Sequence, residues 1–210
     1  MFLRDAAYCG KVELGKGRGE IQVSAQRPVE AFGLAYRHIF TRLAVDGGWT
    51  FVHAAGVLLD DRAWLFAGSS GAGKSTIAGM LAASEQGARI IHDDQLFLGT
   101  SEGKSAIRAV PYMGDERFIH DRVGAWPVNA VYFLRQDTRA FVKPMEPGPA
   151  AARLLAAPLE WLDEPSNALK DYLGRSLNRL VELVRGAVCG ELHFSLTELP
   201  REITSDRRTL

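Results

Sequence analysis

Residues Gly68-Ser69-Ser70-Gly71-Ala72-Gly73-Lys74-Ser75 spell G-x-x-x-x-G-K-S, a spacing whose chemistry is the holding of phosphate. Glycines let the backbone turn tightly enough for successive N–H groups to converge on phosphate oxygens. A helix that follows adds the partial positive charge of its N-terminus. In this pattern Lys74 reaches the β- and γ-phosphates, Ser75 ligates Mg²⁺, and Thr76 closes the run of nucleotide-contacting residues. The pattern carries this meaning only between a strand and a helix. Ala63-Trp64-Leu65-Phe66-Ala67 before it is strand-like and Thr76-Ile77-Ala78-Gly79-Met80-Leu81 after it is helix-like, so the context is met.

A phosphate loop alone means nucleotide binding, and its neighbours decide the chemistry. Asp93 and Asp94 stand at the end of a short apolar strand, Arg89-Ile90-Ile91, about twenty residues after Lys74, where an acidic residue holds Mg²⁺ directly or through water. Two adjacent carboxylates allow a division of labour, one on the metal and one accepting a proton from an attacking hydroxyl. His53 precedes the loop strand by one strand, so pairing of the two strands would bring its imidazole toward the γ-phosphate end. Arg117, Arg122, Arg135 and Lys143 are candidate cations for a transferring phosphoryl group. His38, His92, His120 and His193 read as structural residues or as supports behind the groups that touch the site.

The elements that must position these groups are legible in part. Val12-Glu13-Leu14 and Glu20-Ile21-Gln22-Val23 flank a glycine-rich stretch and predict a hairpin. Apolar residues at Val29, Phe32, Ala35, Ile39 and Leu43 predict a helix from Pro28 to Asp46 that buries this face. Residues 49–59 form an apolar run that predicts a strand, and the polar turn Asp60-Asp61-Arg62 predicts that it pairs antiparallel with the loop strand. Between Gly103 and Trp126 the periodicity fades among turn residues, which predicts a mobile lid closing over the acceptor. Residues 129–134 and 140–142 read as strands, 147–162 and the segment from Asn167 as helices, and Leu192–Leu196 as a final strand.

Bulk properties narrow the class. The 210 residues hold 25 basic and 25 acidic side chains, so formal net charge is +0 and no general polyanion-gripping surface is expected, hence no nucleic acid. Cys9 and Cys189 are too far apart in sequence for a paired zinc site and are expected to be reduced, buried thiols. No apolar stretch is long enough for a bilayer and the N-terminus lacks a signal-peptide pattern, so a cytoplasmic protein without a membrane partner is expected. The length predicts one domain over residues 1–204 and a frayed tail over 205–210.

The ordered set His53-Ala54-Ala55-Gly56-Val57-Leu58-Leu59, then Gly68 to Ser75, then His92-Asp93-Asp94 resembles the HPr kinase/phosphorylase family and, more distantly, the nucleotide domain of ATP-dependent phosphoenolpyruvate carboxykinase. The resemblance covers about residues 50 to 98. It implies an α/β P-loop core of that type, with a mixed sheet and an antiparallel hairpin before the P-loop. It also implies ATP and Mg²⁺ as cofactors, with Ser75 and one aspartate of the pair on the metal and the other aspartate facing the acceptor; Asp93 as base with Asp94 on the metal side is the favoured assignment, and it can be reversed. His53 would face the acceptor hydroxyl. The chain departs from the family in lacking its large N-terminal domain and its glutamate-arginine-glycine-rich signature. At that point it has Met113-Gly114-Asp115-Glu116-Arg117, where Glu116 is a candidate second metal residue. The expectation is an ATP- and Mg²⁺-dependent kinase acting on a hydroxyl, a serine of a small protein or peptide before others, with self-association left open. The alternatives are a small-molecule kinase of the same fold and a nucleotide-binding regulatory module with slow hydrolysis. A decarboxylating carboxykinase is the weakest reading, because those enzymes are far longer.

Overall fold

The computed structural model of the protein describes residues 2–4, 8–13, 18–84, 87–110, 124–156, 166–195, 198–199 and 203. The chain divides into two compact units, residues 1–49 and 50–210, where the sequence predicts one domain over 1–204. In the first unit β1 (Phe2–Arg4), β2 (Tyr8–Glu13) and β3 (Arg18–Val23) form an antiparallel sheet in that order. The predicted hairpin is β2 with β3, and β1 extends it by one strand.

Helix α1 (Pro28–Asp46) has the predicted bounds. Proline suits its first position because the fixed φ is already helical and no N–H is wasted. It stops at Gly47 and Gly48, the latter at φ +87, a conformation most side chains avoid. The predicted buried face needs correction. Ala31 and Ala35 are fully buried, whereas Val29 (84% exposed), Phe32 and Leu43 face outward. The buried line therefore runs through small residues one turn apart, and periodicity alone does not separate it from the larger apolar line beside it.

Among its described residues the second unit holds nine strands and three helices. The strands are β4 (Thr50–Val52), β5 (Ala54–Leu59), β6 (Arg62–Ala67), β7 (Arg89–His92), β8 (Leu96–Ser101), β9 (Lys104–Ala109), β10 (Trp126–Gln136), β11 (Phe141–Pro144) and β12 (Val188–Phe194). Their order is β4-β8-β9-β10-β6-β5-β7, with β12 paired to β10 and β11 to β12. β6, β10 and β12 run parallel, while β5 pairs antiparallel with both β6 and β7. This is a mixed sheet with an antiparallel hairpin, β5 and β6, directly before loop 68–73. The hairpin turns through Asp60 (φ +50) and Asp61 (φ +57), the left-handed pair whose twist matches that of the strands it joins.

Both faces of the sheet are covered. Alternate residues Leu58, Leu65, Val131 and Phe133 pack against α3 (Pro147–Ala156) and α4 (Ser166–Val184) through Ala150, Leu154, Leu180 and Val184. The intervening residues Val57, Trp64, Phe66 and Tyr132 pack against Ile77, Ala78 and Leu81 of α2 (Lys74–Ser84). Each large aliphatic side chain buried this way contributes about 1.5–3 kcal/mol. The central strands are consequently apolar on both faces, which is why their sequence reads as continuous runs.

Two further expectations are corrected. The run 49–59 is two strands, since the chain leaves the ladder at His53 and β4 pairs with β8 rather than with β6. The predicted lid is part of the sheet in its first portion: β8 and β9 form a hairpin around Glu102 (φ +51) and Gly103 (φ +75), and Ala106, Ile107 and Val110 are buried. Residues 111–123 of that segment lie outside the described residues, as do 157–162 of the predicted third helix, residues 163–165 after it and the tail 205–210. Cys189 is buried as expected, but Cys9 is exposed on β2.

Candidate functional site

β6 is buried from Ala63 to Ala67, and the chain then leaves the sheet where β10 and β12, parallel to it, also end. Ligands of open α/β sheets gather at such carboxyl ends. Loop 68–73 is shaped by its glycines. Gly71 has φ +77 and Gly73 φ +101. The carbonyl of Gly73 accepts the first helical bond of α2, from the Ile77 N–H at 2.9 Å, so Gly73 caps the helix. The Ala72 N–H donates to the Ser69 carbonyl at 3.1 Å, closing a turn inside the loop.

Side chains of the neighbouring strands hold this loop. A Cβ on Gly73 would lie 2.7 Å from Cζ of the fully buried Phe194. On the other flank, the Gln136 side-chain amide donates to the Gly71 carbonyl at 3.2 Å. Both supports come from strand ends that the motif does not name, and no sequence signal marks them. A Cβ on Gly71 meets nothing within 4 Å. Gly73→Ala should therefore cost about 1–3 kcal/mol through overpacking added to strain, and Gly71→Ala, with strain alone, less. Chemical denaturation of the two variants checks the order, and equal effects would contradict this packing.

Lys74, the first residue of α2, is 6% exposed. A buried ammonium needs partners, and it donates to the carbonyls of Gly68 and Ser69, both at 3.2 Å. Its third neighbour is Asp94, whose Oδ1 lies 3.5 Å from Nζ. The same Oδ1 is 2.7 Å from His53 Nε2. His53 can reach it because the chain leaves the ladder there, between β4 and β5. Asp93 serves the other side: the Ser75 hydroxyl donates to its Oδ2 at 3.2 Å. The adjacent aspartates thus face different groups, Asp93 with Ser75 and Asp94 with His53 and Lys74. The Ser75 and Asp93 oxygens are the hard donors that Mg²⁺ takes, and Mg²⁺ characteristically uses few protein ligands. No group of three His, Cys, Asp or Glu that could cage a metal occurs among the described residues.

The electrostatics of Asp94 follow from these contacts. Burial is the largest single influence and raises its pKa, but the hydrogen bond and charge of His53, with those of Lys74, together outweigh it and hold the carboxyl at about 2 instead of 3.8. Asp137, just after β10, is also held at about 2, chiefly by His193 and then by the N–H groups of Thr138 and Arg139. His193 is seated between Asp137 Oδ2 (2.8 Å) and Glu191 Oε1 (3.0 Å), with Phe141 stacked on its ring. That is the structural place the sequence assigns it. Both aspartates bind a proton more readily in the unfolded chain. Their contribution to stability is therefore full above pH about 4 and lost as pH falls through about 2. Denaturation at several pH values between about 5 and 2 should show this decline, and a shallower one in the Asp94→Asn, Asp137→Asn double variant; identical profiles would contradict it.

His53, Lys74, Ser75, Asp93 and Asp94 are brought together with the loop. Among the other expected cations, Arg135 lies 3.8 Å from Glu191 Oε1, and Lys143 sits opposite Glu191 in the β11–β12 register. Glu116, Arg117, Arg122 and His120 lie outside the described residues, and nothing is described of the His38 side chain. No helix among the described residues is long and apolar enough to cross a membrane. No protein-family profile and no curated protein matches the chain. A solved structure titled "Structure of the Hpr(Ser) kinase/phosphatase from Coxiella burnetii" is similar at 14% sequence identity and a TM-score of 0.37, over 70% of this chain and 79% of that one. Similarity at that level carries no weight for function, which must stand on the geometry of the site.

Proposed function

We propose that this chain is an ATP- and Mg²⁺-dependent phosphotransferase of the HPr-kinase-like kind, moving the γ-phosphate to a hydroxyl, most plainly a serine of a small protein or peptide. The observation that carries the reading is the sorting of the two aspartates: Asp93 against Ser75 at 3.2 Å, and Asp94 against His53 at 2.7 Å and Lys74 at 3.5 Å. A protein that only binds nucleotide needs the loop and one metal-side carboxylate. It has no use for a second carboxylate paired with an imidazole beside the same lysine.

In this reading residues 68–76 supply the amides and hydroxyls that surround the phosphates, and Lys74 supplies a point charge there. Ser75 and Asp93 would hold Mg²⁺, which when bound neutralises charge on the β- and γ-phosphates. The pairing supports Asp93 as the metal-side residue and Asp94 as the acceptor-side one, the reverse of the order favoured from sequence. Asp94, held strongly acidic, suits a loose transition state, in which orienting the hydroxyl matters more than base strength and its proton leaves late. His53 fixes the Asp94 carboxylate through Oδ1.

The test is incubation of the protein with γ-labelled ATP, Mg²⁺ and serine-containing peptides or small proteins from its own cells. The expected result is label recovered as phosphoserine, lost when Mg²⁺ is chelated. Slow release of free phosphate with no labelled acceptor would instead identify a nucleotide-binding switch.

A further inference from the structure

We infer that His92 is a positioning residue: its buried Nδ1 accepts the backbone N–H groups of Asp94 and Gln95 and so fixes the turn that aims Asp93 at Ser75 and Asp94 at His53 and Lys74. For its effect on turnover this rests on the phosphotransferase reading. For its effect on the turn it rests on geometry alone.

His92 is the last residue of β7 and is 1% exposed. At this point the strand ends in a turn whose residues Asp93 and Gln95 are also buried, and buried backbone N–H groups require acceptors. The imidazole supplies one. The Asp94 N–H donates to Nδ1 at 3.2 Å and the Gln95 N–H at 3.1 Å. A side chain accepting from residues two and three places ahead repeats the geometry with which Asn, Asp, Ser and Thr cap turns and helices. Nδ1 of histidine stands as many bonds from Cα as Oδ1 of asparagine, so the ring mimics that cap while its carbon edge suits a buried site. Acceptance of two N–H groups leaves no proton on Nδ1 and places the ring proton on Nε2. The 3.7 Å approach of Asp93 Oδ1 to Nδ1 is therefore a neighbouring contact and not an ion pair. What His92 holds is the backbone between the two carboxylates. A tilt of that backbone would misdirect both at once, and displacements of about 1 Å in a reacting constellation cost about 10²-fold in rate.

The experiment compares His92→Asn, which keeps an acceptor at the same reach, with His92→Leu, which keeps an apolar body and removes the acceptor. Amide hydrogen exchange at Asp94 and Gln95, followed by NMR, reads the turn without any need for activity. Exchange at both amides should accelerate in the Leu variant and return toward wild type in the Asn variant. With MgATP, kcat should fall by about 10–100-fold in His92→Leu, more than KM for ATP rises, and recover in His92→Asn. Unchanged exchange in the Leu variant, or an Asn variant as impaired as the Leu variant, overturns the inference. If the Leu variant does not fold, the Asn variant decides alone: protected amides and retained kcat support the acceptor role, and loss of both refutes it. Absence of any transfer by the wild-type protein would refute the functional reading, and the exchange comparison would still decide the turn.

Discussion

Replacing Lys74 by alanine is expected to lower phosphoryl transfer by about 10²–10³-fold and to weaken ATP binding while leaving the fold intact. The size follows from the place of the ammonium. It is buried, it is the first residue of α2, and it stands between the loop carbonyls and Asp94. A charge fixed there needs no reorganisation when charge develops on the phosphoryl oxygens. The fold should survive because the carbonyls it leaves, on Gly68 and Ser69, lie on a partly exposed loop where water can serve them. Arginine should not rescue the activity, since a planar guanidinium does not fit a slot made for a compact ammonium. Steady-state transfer and melting curves of Lys74→Ala and Lys74→Arg check both statements. A folded alanine variant with wild-type turnover would remove the assigned site.

The second large effect separates the aspartates. Asp94→Asn keeps the shape but removes the proton acceptor, so transfer should fall by about 10²–10⁴-fold with MgATP affinity largely kept. Asp93→Asn should act differently, weakening the Mg²⁺-dependent part of nucleotide binding together with turnover, because Asp93 shares its oxygen with Ser75. Calorimetry and single-turnover kinetics on the two variants provide the comparison. If both lose nucleotide equally and neither shows a selective defect in transfer, the division of labour between them is wrong.

Much of this site was legible in the sequence, because glycine spacing, a following lysine and serine, and a carboxylate pair after the next strand are local signals. The bounds of α1 and the β5–β6 hairpin were legible for the same reason, as helical periodicity in one case and a polar turn between apolar runs in the other. What failed was non-local. The ladder breaks at His53 inside a run where, from Thr50 to Leu59, every residue but His53 is buried, and a run buried on both faces has no alternation to mark a break. β9 was hidden because Lys104 and Arg108 lie exposed beside the buried Ala106 and Ile107, and its turn uses Glu102 before glycine, a weak hairpin signal. Gln136 and Phe194 reach the loop from strand ends distant in sequence, through parallel pairing that local patterns do not encode. The allocation of the two aspartates was likewise undecided by spacing. Adjacent residues at a strand end point to opposite sides, and the proposed order rests on their partners, Ser75 for Asp93 and His53 with Lys74 for Asp94.

Everything proposed for this chain depends on loop 68–73, Lys74, Ser75 and Asp93 forming a site for a nucleoside triphosphate with Mg²⁺. Its most direct test is calorimetric titration of ATP, with and without Mg²⁺, into the wild-type protein and Lys74→Ala. Saturable binding is expected at one site per chain, strengthened by Mg²⁺ and weakened by the loss of Lys74. Absence of binding, or binding that neither Mg²⁺ nor the substitution alters, would contradict it.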